Sequence, residues 1–252
     1  MTERRAFLVA SLASIGAAAV AAEPLRVLSA GAVEPALAAA LERWRRSEGR
    51  GEVAVTFATA PRIAERLAAG ERPDLLLATS RMIDELERAG RLAAKPVTVG
   101  SVGVGIAVRA GAPVPQIRDE ASLREHLLAA DAVVFNRAST GLYMERLLDR
   151  LGLASVVDAK AVRFPDGDGV LRRIASGSGR EIAFAAATEI ALFRERGVRF
   201  AGPLPDGLQN RTTYAAALLG GGGGGPDAEA QRLLAYLNSP AARSAMAEAG
   251  VE

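Results

Sequence analysis

From Leu25 onward, short apolar runs alternate with amphipathic segments, and this alternation limits the fold more than any other feature of the sequence. Within the amphipathic segments, apolar residues recur every three or four positions, which is typical of helices with one buried face. Three strand–helix units in succession predict an α/β protein with a parallel sheet and right-handed crossovers. The three pairs of strand and helix are 25–31 with 34–46, 53–59 with 61–70, and 74–79 with 80–90.

The apolar segment 97–109 is unusually long for one strand, and we expect it to run between two lobes. Helical and strand patterns alternate again after it as far as residue 188, where the apolar run beginning at Glu181 is predicted to end as a strand. A last strand is predicted at 212–220, before one or two C-terminal helices. The predicted lobes are residues 23–107 with 208–252, and residues 108–207.

The composition excludes several functional classes. The 252 residues contain 31 Lys and Arg against 29 Asp and Glu, so no basic surface for nucleic acid is expected. Cysteine is absent and His126 is the only histidine. Zinc sites of thiolates and imidazoles, cysteine nucleophiles and Ser-His-Asp relays need cysteine or histidine side chains. In this chain each of them would lack those side chains or would depend on His126 alone. No metal and no cofactor are predicted.

The N-terminus has the layout of a secretory signal peptide. Arg4 and Arg5 precede an apolar run at 6–22 that is too short and too rich in alanine for a typical membrane span. We predict that the first 22 residues are removed by cleavage near Ala21 or Ala22 and that the protein is periplasmic. The arginine pair fits twin-arginine export, with Sec export and an uncleaved anchor as the alternatives.

Two glycine-rich segments lack the residues that a ligand-binding loop requires. The run 220–225 is followed by Pro226 and Asp227 instead of the Lys and Ser or Thr of a phosphate loop, so it is interpreted as a flexible loop. The segment 166–169, Asp-Gly-Asp-Gly, lacks the rest of a calcium loop and is interpreted as a turn with a helix cap.

Four turns from a strand into a helix predict an anion site. In open parallel sheets, ligands bind beyond the carboxyl ends of the strands, where helix N-termini offer unpaired N–H groups and a positive dipole end. The turns are 29–33, 59–62, 79–81 and 136–141. The last turn adds the guanidinium of Arg137, which favours a carboxylate. The alternative is that Ser139 or Thr140 merely caps the helix and that Arg137 points to solvent.

The segments 55–90 and 140–152, VTFATAPRIAERLAAGERPDLLLATSRMIDELERAG and TGLYMERLLDRLG with their flanks, resemble the molybdate-binding periplasmic proteins of ABC transporters, and the similarity spans nearly the whole chain after residue 22. The resemblance implies a type II periplasmic binding fold, with two α/β lobes of mainly parallel sheet that close on a ligand in the cleft. Three family ligand positions differ: the two serines correspond to Ala32 and Pro61, and the tyrosine falls near Ala186.

The turns and the resemblance together predict a monomeric periplasmic protein that binds a small anion, an organic carboxylate or a molybdate-type oxyanion, for an ABC permease. The alternative is an isomerase on the same scaffold, because an aconitate isomerase resembles this family. Glu189 is then the candidate base. The predicted ligand-binding residues are Ser29, Gly31, Ala32, Thr59, Ala60, Arg62, Asn136, Arg137, Ser139, Thr140, Gly141, Tyr143 and Thr188.

Overall fold

The computed structural model describes residues 23–47, 51–220 and 227–252. The predicted signal peptide and most of the glycine run lie outside these residues. The described strands are β1 Leu25–Ala30, β2 Val53–Ala58, β3 Leu75–Thr79, β4 Val97–Arg109, β5 Ala132–Asn136, β6 Ala161–Phe164, β7 Glu181–Ala186, β8 Val198–Pro203 and β9 Arg211–Ala217. The described helices are α1 Glu34–Ser47, α2 Ala60–Ala68, α3 Ser80–Arg88, α4 Glu120–Ala129, α5 Ser139–Arg150, α6 Ala154–Asp158, α7 Gly167–Ser176, α8 Ala187–Leu192, α9 Ala228–Leu237 and α10 Pro240–Glu248.

The strands form two half-sheets that share β4. The first half has the order β2-β1-β3-β9-β4, and the second has the order β4-β7-β5-β6 with β8 also paired to β4. Strands β1, β2 and β3 are parallel to one another, as are β5, β6 and β7, whereas β9, β4 and β8 pair antiparallel. Residues 97–103 of β4 pair with β9, and residues 104–107 pair with β7. The predicted α/β fold with two lobes is therefore confirmed, and β4 is the long strand that joins them.

Each half-sheet has its own apolar core. The first core packs α1, α9 and α10 against β1, β3 and β9, and it includes the fully buried Trp44. The second half-sheet is covered on both faces. Phe135 lies under α4 and α5 on one face, and Val134 lies under α7 on the other. Among the described residues, no helix is both long enough and apolar enough to cross a membrane.

One element predicted as strand is partly helix, and this difference shapes the site. The prediction that the strand beginning at Glu181 continues to residue 188 was wrong, because β7 ends at Ala186 and α8 begins at the next residue. The run is rich in alanine, which suits a helix better than a strand, so local periodicity could not locate the boundary. Helix α8 packs against α1 and the short turn Gly31–Val33 of the first half. It therefore brings Thr188 and Glu189 to the junction of the two lobes.

Candidate functional site

A small cavity lies between the lobes, at the carboxyl ends of the parallel strands. Its volume is about 30 Å³. This is room for about two water molecules, so the two lobes lie close together here. Seven of the predicted ligand-binding residues line it, together with Glu189: Gly31, Ala32, Thr59, Ala60, Asn136, Ser139 and Thr140. Six further residues complete the lining: Ala30, Ala58, Thr79, Ala138, Ala186 and Tyr214.

The turn after β5 is built around the side chain of Asn136. Its Oδ1 accepts hydrogen bonds from the N–H groups of Ala138 and Gly141, both at 3.0 Å. A Cβ atom at Gly141 would lie 1.5 Å from the Asn136 carbonyl oxygen, so only glycine fits there. Neither Ser139 nor Thr140 caps α5 with its hydroxyl, since Ala138 is the N-cap residue. The asparagine amide orients the turn and leaves the first residues of α5 facing the cavity.

Backbone donors reach the cavity from both lobes. In the part of the chain that the structure describes, the N–H groups of Ser139 and Thr140 have no acceptor, and neither has the N–H of Ala60 at the start of α2. Thr59 precedes α2 without capping it through its side chain, whereas the Thr79 hydroxyl accepts a hydrogen bond from Met82 N–H at 3.4 Å. Unpaired N–H groups at helix N-termini are suited to anions.

Tyr214 lines the cavity from β9, although no local pattern around it indicates a ligand-binding residue. Its hydroxyl lies near the hydroxyl of Ser139, which belongs to the other lobe, and near that of Thr212 on the same strand, and both lower its pKa. Burial, followed by the nearby Glu189 carboxylate, raises the pKa of Tyr214 above its usual value. The hydroxyl therefore stays protonated and can donate a hydrogen bond to a ligand.

Glu189 is the acidic residue of the cavity. Burial of its carboxyl group raises its pKa from 4.5 to about 7, and the nearby carboxylates of Asp166, Glu34 and Asp168 act in the same direction. A hydrogen bond from the Ala186 backbone partly offsets this increase and lowers the pKa of Glu189. A group with this pKa is present in both protonation states near neutral pH, so it can accept or donate a proton.

Three of the predicted ligand-binding residues do not line the cavity because their side chains have other positions. The Ser29 side chain is fully buried and its Oγ donates to the Ala30 carbonyl at 3.2 Å. Arg62 is exposed and pairs with Glu65 at 2.8 Å. Arg137 is also exposed, which matches the solvent-facing alternative for this residue.

Three more predicted residues support the cavity from outside it. Gly141 lies buried beneath the turn that Asn136 orients. The Tyr143 hydroxyl donates to the Leu208 carbonyl at 2.6 Å. The buried Thr188 donates its hydroxyl to the Ala32 carbonyl at 2.5 Å, and this bond joins α8 to the first lobe.

The charge of the cavity lining is unusual for an anion site. Among the described residues, no lysine, arginine or histidine lines it, and its one ionisable group near neutral pH is Glu189. No group of three or more His, Cys, Asp or Glu in the described ranges is arranged to hold a metal ion. The lining therefore offers neutral donors and a single carboxyl group.

Comparisons with known proteins agree with the fold. A family model for bacterial extracellular solute-binding proteins matches residues 25–252. An aconitate isomerase from a Pseudomonas species is 28% identical over 245 residues, which are 92% of this chain and 90% of that protein.

Solved structures of a molybdate-binding and a sulfate-binding protein share the same architecture. The periplasmic molybdate-binding protein of Azotobacter vinelandii superposes with a TM-score of 0.73 at 15% identity, covering 90% of this chain and 98% of that one. The sulfate-binding protein SubI from Mycobacterium tuberculosis H37Rv gives 0.69 at 20% identity, covering 90% and 86%. These likenesses confirm the type II periplasmic binding fold and the predicted resemblance. Since the family model covers nearly all of the described chain, this protein belongs to the family of bacterial extracellular solute-binding proteins.

Proposed function

We propose that this protein is a periplasmic solute-binding protein that binds a small anion in the cavity between its lobes and delivers it to an ABC permease. The observation that carries the proposal is the convergence of unpaired N–H groups, from Ala60 in one lobe and from Ser139 and Thr140 in the other. Both helix N-termini line the same cavity and bring their positive dipole ends to it. Such an arrangement holds an anion without a cationic side chain.

The hydroxyl groups add directional donors to this site. Tyr214 reaches it from β9, Ser139 lies beside Tyr214, and Thr59 lines the cavity without capping α2 through its side chain. They replace hydroxyls that the molybdate-binding family has at the positions of Ala32 and Pro61. A molybdate-type oxyanion and a small organic carboxylate are both compatible with these donors.

Contacts between the lobes explain how a ligand favours closure. The Thr188 bond to the Ala32 carbonyl crosses the cleft, and the Ser139 and Tyr214 side chains lie near each other across it. A ligand that touches donors from both lobes stabilises the closed state, because opening would remove half of its contacts. Closure is the event that a permease would recognise.

A thermal-shift and calorimetry panel on residues 23–252 tests the proposal, with molybdate, tungstate, sulfate, phosphate and small carboxylates as ligands. A ligand at 100 times its Kd adds about 2.7 kcal/mol to stability. Tyr214→Phe should weaken the best ligand by about 10-fold, the effect of one lost hydrogen bond. Tyr143→Phe is the matched control, because its hydroxyl bonds Leu208 outside the cavity. No binding by any anion contradicts the proposal.

A second candidate function is isomerisation of aconitate. Two observations favour it: the pKa of Glu189, at about 7, suits a base that must both take up and return a proton, and the Pseudomonas relative at 28% identity is an aconitate isomerase. Glu189 would remove a proton from carbon on one side of the allylic system and return it on the other. Incubation with trans-aconitate in D2O, followed by NMR, tests this function. Deuterium on carbon together with cis-aconitate supports it, and an unchanged spectrum eliminates it.

Export is part of the proposal as well. Cleavage near Ala21 or Ala22 would release a monomer into the periplasm, which N-terminal sequencing of the protein from a periplasmic fraction tests. A protein that keeps Arg4 and Arg5 and sediments with membranes would contradict it.

A further inference from the structure

The position of Glu189 in an anion cavity poses an electrostatic problem. An ionised carboxylate beside a bound anion repels it, and the repulsion is strong where water is excluded. Among the described residues, no cationic side chain lines the cavity to offset it. The site can therefore hold an anion favourably only if a proton lies between the anion and the Glu189 carboxyl group.

The carboxyl group is confined in a narrow space. A Cβ atom at Gly167 would lie 2.1 Å from Glu189 Oε2, and a Cβ atom at Gly31 would lie 3.4 Å from Oε1. The two glycines belong to opposite lobes, at the start of α7 and in the turn before α1. The closed lobes thus hold the carboxyl group between them at the edge of the ligand space.

The groups around Glu189 are mostly acidic. Glu34 faces it from α1, Asp166 from the turn before α7 and Asp168 from α7, while the Tyr214 hydroxyl faces it from β9. Burial and the Asp168 carboxylate raise the pKa of Glu34, and the Arg196 guanidinium lowers it in part. Each of these neighbouring carboxylates favours the protonated form of Glu189.

We infer that the cavity binds its anion together with one proton, which lies in a hydrogen bond between a ligand oxygen and the Glu189 carboxyl group. An anion that carries its own O–H group donates it to the carboxylate, whereas a fully deprotonated anion binds only after Glu189 has taken a proton from solvent. The inference rests on the proposed anion-binding function. It deepens that function by naming the ligand class: small anions that bring a proton.

The raised pKa of Glu189 agrees with this inference. At about 7, it makes proton uptake easy in mildly acidic solution and increasingly costly above neutral pH. A deprotonated anion should therefore lose affinity by about 10-fold for each pH unit above that value.

Sulfate and hydrogen phosphate are a matched pair of probes, since they have the same shape and the same charge at pH 8 and differ by one O–H group. We expect the wild-type protein at pH 8 to bind hydrogen phosphate about 10-fold more tightly than sulfate, because sulfate binds only the protonated fraction of Glu189, and this preference should rise to about 100-fold at pH 9. Calorimetry in two buffers of different ionisation enthalpy should show that sulfate binding takes up about one proton.

Two variants separate the carboxyl group from the general charge of the cleft. Glu189→Gln keeps the shape and always offers a donor, so sulfate should bind it independently of pH and remain within about 10-fold of phosphate at pH 9, where the wild-type preference is about 100-fold. Glu34→Gln removes a neighbouring charge that does not line the cavity, and it should retain the preference and the proton uptake.

The possible outcomes distinguish the inference from the function on which it rests. Sulfate binding to the wild-type protein without proton uptake overturns the inference and leaves anion binding intact. Failure of hydrogen phosphate to bind at pH 8, while other anions bind without a proton, also overturns the inference alone. Failure of every anion to bind the wild-type protein and Glu189→Gln overturns both.

Discussion

Replacing Asn136 by alanine should destabilise the protein because this side chain shapes the turn before α5. Asn136 is 4% exposed, and its Oδ1 is the acceptor for two backbone donors, Ala138 N–H and Gly141 N–H, each at 3.0 Å. A buried donor left without an acceptor costs about 1–3 kcal/mol, so the two together predict a loss of about 2–6 kcal/mol. This is a large part of the stability of a typical domain. Urea unfolding followed by circular dichroism measures it.

Two control variants make this prediction specific. Asn136→Asp keeps an acceptor oxygen in the same place and puts a negative charge near the N-terminus of α5, so it should lose less than half as much as Asn136→Ala at neutral pH. Asn210→Ala removes one long bond, 3.5 Å to the Thr212 hydroxyl, and should cost less than about 1 kcal/mol. The reasoning is refuted if Asn136→Ala and Asn210→Ala are equally stable.

Three further changes test the packing and the charge of the same region. Gly141→Ala puts a Cβ atom 1.5 Å from a carbonyl oxygen and should cost at least about 3 kcal/mol in urea unfolding, whereas Gly207→Ala, with no atom within 4 Å, should cost less than about 1 kcal/mol. Thr188→Val leaves the Ala32 carbonyl without its donor and should cost about 1–3 kcal/mol; equal midpoints would contradict this. Folded Glu189 keeps its proton up to about pH 7, whereas in the unfolded chain it ionises near 4.5, so wild-type stability should fall between these values as pH rises. Glu189→Gln should remove this fall, of at most about 3 kcal/mol, and an unchanged pH profile would contradict the burial of the carboxyl group.

The alternation of strands and helices could be predicted because it depends on local periodicity. The long strand β4 and its passage between the lobes followed from the length of the apolar segment at 97–109. Helix α8 could not be located in the same way, since its alanine-rich sequence continues the apolar run of β7 without a change of period. The boundary depends on packing against α1 in the other lobe, which no local window contains.

The candidate site was likewise predictable only where it depends on local sequence patterns. Its turns were predictable, because the carboxyl ends of parallel strands meet at one edge of a sheet and helix N-termini follow them. The direction of the Arg137 side chain was not predictable, because the turn that Asn136 orients leaves this side chain exposed. Tyr214 was also missed, because a tyrosine in a strand gives no local sign of the cleft that it faces. The pKa of Glu189 depends on acidic residues from distant parts of the chain.

Both candidate functions need Glu189 to take up and release a proton inside the cavity. The structures that a carrier and an isomerase require therefore differ little. A carrier needs a proton between the carboxyl group and a ligand oxygen, where exchange with solvent after opening has no chemical consequence. An isomerase needs the same group beside a carbon, where removal and return of the proton change the ligand before the lobes open. Closure excludes water in either case and holds the carboxyl group between Gly31 and Gly167. The choice between carrier and enzyme therefore depends on which ligand atom the neutral donors of Ala60, Ser139 and Thr140 present to Glu189.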